Sequence, residues 1–200
     1  MIKFIAYLKT IEKLGFLNVF RVLIHRINIK SGYYKLIMPI KECPVPDEIV
    51  LEKKRKVVNF AEELNYSSKE KCLKVADKLI NGEILLFSKE KYFYKNIPNW
   101  FLNCKFKNYK EIHWTEHNIF GGKDIKRCSE LSRFSWGLLM ARASIISSDK
   151  KYIQTVNKWI KNWCQSNPIN AGPNWICGQE VAIRLIHIMQ TWKLVENNNY

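Results

Sequence analysis

The chain has 200 residues, 47% hydrophobic and 13% aromatic, which suffices for one domain with a real core and argues against intrinsic disorder. Its 33 Lys and Arg against 18 Asp and Glu leave a formal charge of +15. That excess implies attraction to a polyanion or an acidic surface without naming it, and a lysine-rich genome accounts for part of it equally well. No apolar run reaches twenty residues, so no transmembrane segment is expected.

Ile5, Leu8, Ile11 and Leu14, then Phe16, Phe20, Leu23 and Ile27 beyond Gly15, predict two amphipathic helices joined at a glycine. Lys9, Glu12, Lys13, Arg21, His25 and Arg26 interrupt this opening too often for a signal peptide, so a cytoplasmic or membrane-peripheral location is expected rather than secretion. Such a basic opening either packs on its own domain or lies on an anionic membrane surface. Residues 30–47, with Gly32, Pro39, Pro44 and Pro46, read as an extended connection. Residues 48–66 are ambiguous, and Lys53-Lys54-Arg55-Lys56 reads as a solvated face rather than a nucleic-acid contact.

Ser68 to Ile80 predicts a helix with Cys72, Val75, Ala76 and Leu79 inward, stopped at Asn81-Gly82. Ile84 to Tyr94, broken by Ser88-Lys89-Glu90-Lys91, predicts a short β-hairpin. Trp100, Phe101, Phe106, Tyr109, His113, Trp114, His117 and Phe120 follow without period. They fill the space beneath a long loop or line a sugar or base platform. Six cysteines (Cys43, Cys72, Cys104, Cys128, Cys164 and Cys177) contain no CxxC pair, so no metal site or cofactor is expected; four of them sit in or beside helical patterns, where free, buried thiols are the plain reading, and nothing in the spacing calls for disulfides although the even count permits them.

Three helical patterns complete the chain. The first starts at Asp124 and shows Leu131, Phe134, Leu138, Ala141 and Ile145 on one stripe; the second shows Tyr152, Val156, Trp159, Ile160 and Trp163 and stops at Asn167-Pro168. The third starts near Asn174, a plausible cap, and presents Val181, Leu185, Ile188 and Trp192, widened by Ala182, Ile186 and Met189. All three are apolar on more than one side, which fits a stack of antiparallel helical hairpins. Glu180, Arg184 and His187 form a polar strip on the third helix, and Lys126, Glu130 and Arg133 form one on the first. A buried cross-helix network among Glu130, Arg133, Glu180 and Arg184 ranks ahead of ligand contact, and a surface pair ranks last.

Asp124-Ile125-Lys126, Glu130-Leu131, Arg133, Asn167-Pro168 and Gly172-Pro173-Asn174-Trp175 with Glu180, Ala182 and Arg184 resemble the N-terminal domain of the heparinase II/III family. Ile97-Pro98-Asn99-Trp100 and His113-Trp114 are similar to the tryptophan landmarks that precede that block, so the likeness covers about half the chain. Arg127-Cys128-Ser129 departs from it where the family has an aromatic residue before the Glu-Leu pair.

The resemblance implies a mainly α fold, with helical hairpins forming part of an incomplete (α/α) toroid and a short β-containing or irregular lead-in. On that basis residues 1–30 are the helical lead-in, 31–123 the connecting region and 124–196 the first toroid helices, with the rest of the toroid and a β-sandwich absent. It also implies cleavage of acidic, uronic-acid-containing polysaccharide by β-elimination. In that reaction a neutralised carboxylate makes the adjacent carbon proton removable, and an acid protonates the leaving oxygen. Asn174, Trp175, Glu130, Arg133, Glu180 and Arg184 are the candidate substrate-binding residues, offering an amide, an aromatic face and carboxylate-pairing guanidinium groups.

The family's catalytic Asn-His pair and tyrosine lie further along the toroid, and Asn197-Asn198-Asn199-Tyr200 inherits no role from them. The expected partners are an acidic polysaccharide and a C-terminal continuation of the same enzyme, so no turnover is expected from this chain alone. A non-catalytic helical scaffold is the alternative; a nucleic-acid module is favoured only by charge.

Overall fold

The computed structural model of the protein describes residues 12–45, 66–104, 108–117 and 125–196. The fold is mainly helical, with one two-stranded antiparallel sheet among the described residues. The chain divides into two compact units, residues 1–40 and 41–200.

In the first unit, helix α1 (Phe16–Lys30) begins directly after Gly15, as its apolar period predicts. The helix predicted before Gly15 lies mostly outside the described residues. The expected extended connection after Lys30 is corrected by a short helix, α2 (Tyr33–Ile37). Its cause is local: Gly32 adopts the left-handed conformation (φ 75°) and turns the chain back, and Tyr34 Oη then lies 2.9 Å from His25 Nδ1.

The second unit contains α3 (Tyr66–Ile80), strands β1 (Glu83–Leu86) and β2 (Glu90–Phe93), then helices α4 (Lys126–Ser132), α5 (Ser135–Ser147), α6 (Lys151–Ser166) and α7 (Gly178–Glu196). Three-residue 3-10 turns stand at Trp114–Glu116 and Pro173–Trp175. The charge run at residues 53–56 and the Asp124 cap lie outside the described residues.

The hairpin forms where predicted, with Glu83 opposite Phe93 and Leu86 opposite Glu90. Its tight turn places Phe87 and Ser88 at φ 51° and 59°, with Lys89 N donating to Leu86 O at 3.1 Å. Ile84 and Leu86 are buried and Leu85 is exposed, the alternation of a sheet covered on one face. Gly82, at φ 94°, admits no side chain, because a Cβ there would stand 2.2 Å from Tyr94 O. In α3, Ala76 and Leu79 are buried, but Val75 is exposed rather than inward, on the lip of a cleft against β1 and α5.

Helix α5 is the central element, packed against α3, α6 and α7. The inward face of α6 is the predicted one, Tyr152, Val156, Trp159, Ile160 and Trp163, all buried. Trp159 stands edge-on to Trp136 at 4.9 Å, to Tyr94 at 5.5 Å and to Trp100 at 6.2 Å. Each buried indole N–H in this cluster finds an acceptor where one is in reach: Trp100 Nε1 donates to Asn162 Oδ1 at 2.8 Å and Trp136 Nε1 to Leu131 O at 3.0 Å. The aperiodic aromatic stretch resolves toward packing at its start, since Trp100 and Phe101 are buried and Tyr109 stacks on Phe101 at 3.7 Å. Phe106 and Phe120 lie outside the described residues.

Two expectations about the last block are corrected. The single helix expected from residue 124 to Ile145 is two, α4 and α5, separated at Arg133-Phe134, where Phe134 adopts φ 63°, ψ 21°. The third helix also starts later, at Gly178, and is rotated by roughly a quarter turn from the expected face, with Ile188 still packed on the core. Arg184, Thr191 and Val195 are its buried residues, whereas Leu185, Ile186, Met189 and Trp192 are exposed. Counting apolar positions misplaced the inward face because that face is held by hydrogen bonds.

Replacing Trp159 by Ala removes the ring on which three aromatic neighbours converge. Chemical denaturation is expected to show about 3–5 kcal/mol lower unfolding free energy.

Candidate functional site

The separation of α4 from α5 creates a polar problem. A helix end exposes carbonyls that lack intrahelical partners, and Ser132 and Arg133 end α4 inside the protein. Helix α7 supplies the missing donors. Arg184 Nε donates to Ser132 O at 2.7 Å, and His187 Nδ1 lies 2.7 Å from Arg133 O, which fixes the proton on Nδ1 because a carbonyl only accepts. The two side chains are one position less than a turn apart on α7, so both reach the same helix end.

Arg184 is 4% exposed. Its Nη2 donates to Asn174 O at 3.0 Å, and its Cζ lies 4.4 Å from the Trp163 ring, 5.6 Å from Trp175 and 6.0 Å from Phe134. Three negative ring faces and two carbonyls replace the water around a guanidinium that has no carboxylate in hydrogen-bonding reach among the described residues. Burial pulls its pKa down to about 10, so it keeps its charge at neutral pH.

Asn174 does not cap α7. It is 2% exposed, its Nδ2 donates to Asn167 Oδ1 at 2.8 Å, and its Oδ1 accepts from Cys128 Sγ at 3.3 Å. Asn167 in turn donates to Trp163 O at 2.8 Å, and Trp163 Nε1 donates to Ser132 Oγ at 3.0 Å. The chain of bonds thus returns to the end of α4.

Arg133 lies beside this buried knot and is half-buried. Its Nε and Nη2 grip Glu180 at 2.6 and 2.7 Å, a bidentate pair, and Nη1 reaches Glu130 at 2.5 Å. The Arg133 hydrogen bonds hold the Glu180 carboxyl below its usual range. Glu130 also accepts weakly from Phe87 N at 3.4 Å, and Arg127 pairs with Glu90 at 2.6 Å, so two polar contacts tie the hairpin to α4.

The structure therefore brings all six candidate residues together, but in two parts. Arg184 and Asn174 are interior and engaged with protein, and Glu130, Arg133 and Glu180 form a three-membered ion cluster at the surface edge. Trp175 lies between, half-buried, packed on Trp163 at 6.1 Å, with no hydrogen-bond partner for its Nε1 among the described residues. Arg133, already serving two carboxylates, is a poor receptor for a third.

Sequence reasoning missed Ser132 and Trp163, which carry no motif. It read Asn167 as a helix stop and as part of the resemblance, and gave it no bonding role, although Asn167 is the bond partner of Asn174. The cysteines are free as expected, but of the six only Cys128 is buried. Its pKa is raised by contact with the Cys104 thiol and by burial. No group of His, Cys, Asp and Glu suited to a metal ion occurs among the described residues.

Two hollows bear on ligands. A cleft of about 120 Å³ beside Glu130, lined by Leu79, Leu86, Leu131 and Trp136, is below the several hundred Å³ that small-molecule sites occupy. A hollow of about 390 Å³ lies between α5 and α7, lined by Leu138, Arg142, Gln190, Lys193 and Leu194. It offers two cations and an amide, and its residues carried no sequence signal because they occupy ordinary exposed helix positions. Comparisons with protein-family models, curated proteins and solved structures give no match for this chain.

Arg184→Met leaves two buried carbonyls without donors, and is expected to lower unfolding free energy by about 2–4 kcal/mol in denaturant titrations followed by tryptophan fluorescence. The Arg133–Glu180 pair sets an acid limit. Because the folded pKa of Glu180 is depressed, its stabilisation is present above the unfolded value near ~4.3 and is lost as pH falls through the lower folded value. Glu180→Gln is expected to be less stable than the parent at pH 7, and the difference is expected to shrink below about pH 4.

Proposed function

We propose that this chain is the N-terminal helical portion of a heparinase II/III-like polysaccharide lyase, part of an incomplete (α/α) toroid, which binds acidic glycan weakly and does not cleave it alone. The observation that carries the reading is the meeting of the resemblance-bearing residues. Glu130, Arg133, Asn167, Asn174, Glu180 and Arg184 come from separate stretches, yet they meet near the junction of α4, α6 and α7 as two adjoining bonded groups, Glu130–Arg133–Glu180 and Asn167–Asn174–Arg184. Helices α5 and α6, joined by residues 148–150, supply the hairpin packing that a toroid repeats.

Within this reading the buried node shapes the helix stack and the glycan meets the hollow between α5 and α7, where Arg142, Lys193 and Gln190 suit a uronate carboxylate and hydroxyl groups. The exposed stripe Leu185, Ile186, Met189 and Trp192 adjoins that hollow, since Gln190 and Lys193 border both, and it suits a further helical hairpin, the proposed continuation of the enzyme. β-Elimination itself falls to groups on that continuation. No helix among the described residues is long and apolar enough to cross a membrane.

The burial of Arg184 and Asn174 favours one second reading, a helical scaffold without a ligand. One experiment separates the two. The intact chain is assayed with a panel of uronic-acid polymers, following unsaturated product by absorbance and retention by affinity electrophoresis. The lyase reading predicts flat absorbance, weak retention, and at least a threefold loss of retention in Arg142→Glu/Lys193→Glu with circular dichroism unchanged. Absent retention, or retention unaffected by that double change, supports the scaffold; product formed by this chain alone contradicts both.

A further inference from the structure

The unit formed by residues 1–40 is absorbed by nothing so far. Helix α1 buries none of its side chains, and Phe16 is 74% exposed. Phe16, Phe20, Leu23 and Ile27 point within about 60° of one another at 100° per residue, so they form one stripe, with Phe16 and Phe20 stacked at 6.4 Å. Leu17 and Ile24 widen it on one side and are also exposed. Helix α2 leaves this stripe open, because its contact through Tyr34 falls on His25, on the opposite side of α1. Leu36, on α2, is itself 79% exposed.

Charge accompanies the stripe. Residues 12–40 carry Lys13, Arg21, Arg26, Lys30 and Lys35 against a single acid, Glu12. Arg21 and Arg26 project roughly 130° to one side of the stripe and 90° to the other, with Leu17 and Ile24 filling the Arg21 side, so their apolar stems can lie along a nonpolar phase while the guanidinium groups stay in water. At 15 residues α1 is about 22 Å long, shorter than the ~30 Å hydrocarbon core of a bilayer, so its geometry suits lying along a surface.

We infer that the unit containing α1 and α2 is a docking surface for an anionic phospholipid bilayer, with the Phe16–Phe20–Leu23–Ile27 stripe entering the headgroup boundary and the flanking cations meeting lipid phosphates. The two properties together select this occupant. A soluble polyanion satisfies the cations and leaves the stripe in water. A second copy of the same unit covers the stripe but brings two sets of like charges together.

The test is flotation of the full chain with vesicles of phosphatidylcholine and phosphatidylglycerol at 3:1, and with phosphatidylcholine alone. The expected result is co-flotation with the anionic vesicles, at least tenfold weaker with neutral ones. Two surface variants, Phe20→Glu/Leu23→Glu and Arg21→Glu/Arg26→Glu, are each expected to reduce flotation at least tenfold while circular dichroism and the elution volume stay those of the parent. Failure of the parent chain to float with anionic vesicles overturns the inference, including the case in which light scattering shows a dimer instead. Unchanged flotation of the Phe20→Glu/Leu23→Glu variant also overturns it, since adsorption then needs charge alone; the charge variant decides the matter if the apolar one proves misfolded. None of these readouts depends on glycan binding.

Discussion

The second unit depends on how the interrupted helix between Ser132 and Ser135 is closed. Carbonyls buried at a helix end must be bonded, and the residues that would continue the ladder are diverted by Phe134 in a left-handed conformation that aromatic residues seldom adopt. Arg184 and His187 satisfy those carbonyls from another helix, with distances of 2.7 Å each. The interaction is therefore both a cap for α4 and the attachment of α7. It also favours the positive charge where it sits, because the last carbonyls of a helix carry partial negative charge.

The aromatic core follows from that placement. Phe134, thrown out of helical register, packs on Trp136 at 5.1 Å and edge-on to Trp163 at 5.2 Å, and Trp163 carries the guanidinium of Arg184 on its face. The same ring thus belongs to the apolar core on one side and to the polar node on the other. Gly137 lets α7 approach α5, since a Cβ there would stand 3.2 Å from Thr191 Oγ1. An alanine at that position would require the Thr191 side chain to give by a few tenths of an ångström.

Much of this was legible in the sequence where side-chain period and burial agree. The face of α6, the hairpin after Gly82 and the helix beginning beyond Gly15 all follow from spacing and turn chemistry. A buried cross-helix network of Glu130, Arg133, Glu180 and Arg184 was expected, because polar strips at the edge of an apolar face need partners; the first three do meet, but as a half-buried ion cluster, while Arg184 bonds to backbone carbonyls beside it. The helix break at Phe134 was not legible, since Leu131, Phe134, Leu138 and Ala141 keep an unbroken helical period across it. The quarter-turn rotation of α7 was hidden for a related reason: two donors to buried carbonyls outweigh several apolar groups left in water, and a hydropathy pattern contains no information about carbonyls on a distant helix.

The same energetics separate two meanings of a recognisable motif. Asn174 and Arg184 resemble substrate-binding residues in type and spacing, yet a ligand reaching them would have to break hydrogen bonds that are costly to leave unmade in the interior. A motif can recur because it builds a helix junction, with the ligand met elsewhere on the surface that the junction holds in shape. By that logic Arg142, Gln190 and Lys193 matter for what they meet, and the buried node matters for the angle between α5 and α7 that opens the hollow they line. Under the proposed function, loosening the node alters glycan contact without any node residue touching sugar, so a loss of binding on mutating Arg184 identifies a positioning role only when the fold and the hollow's own residues are intact.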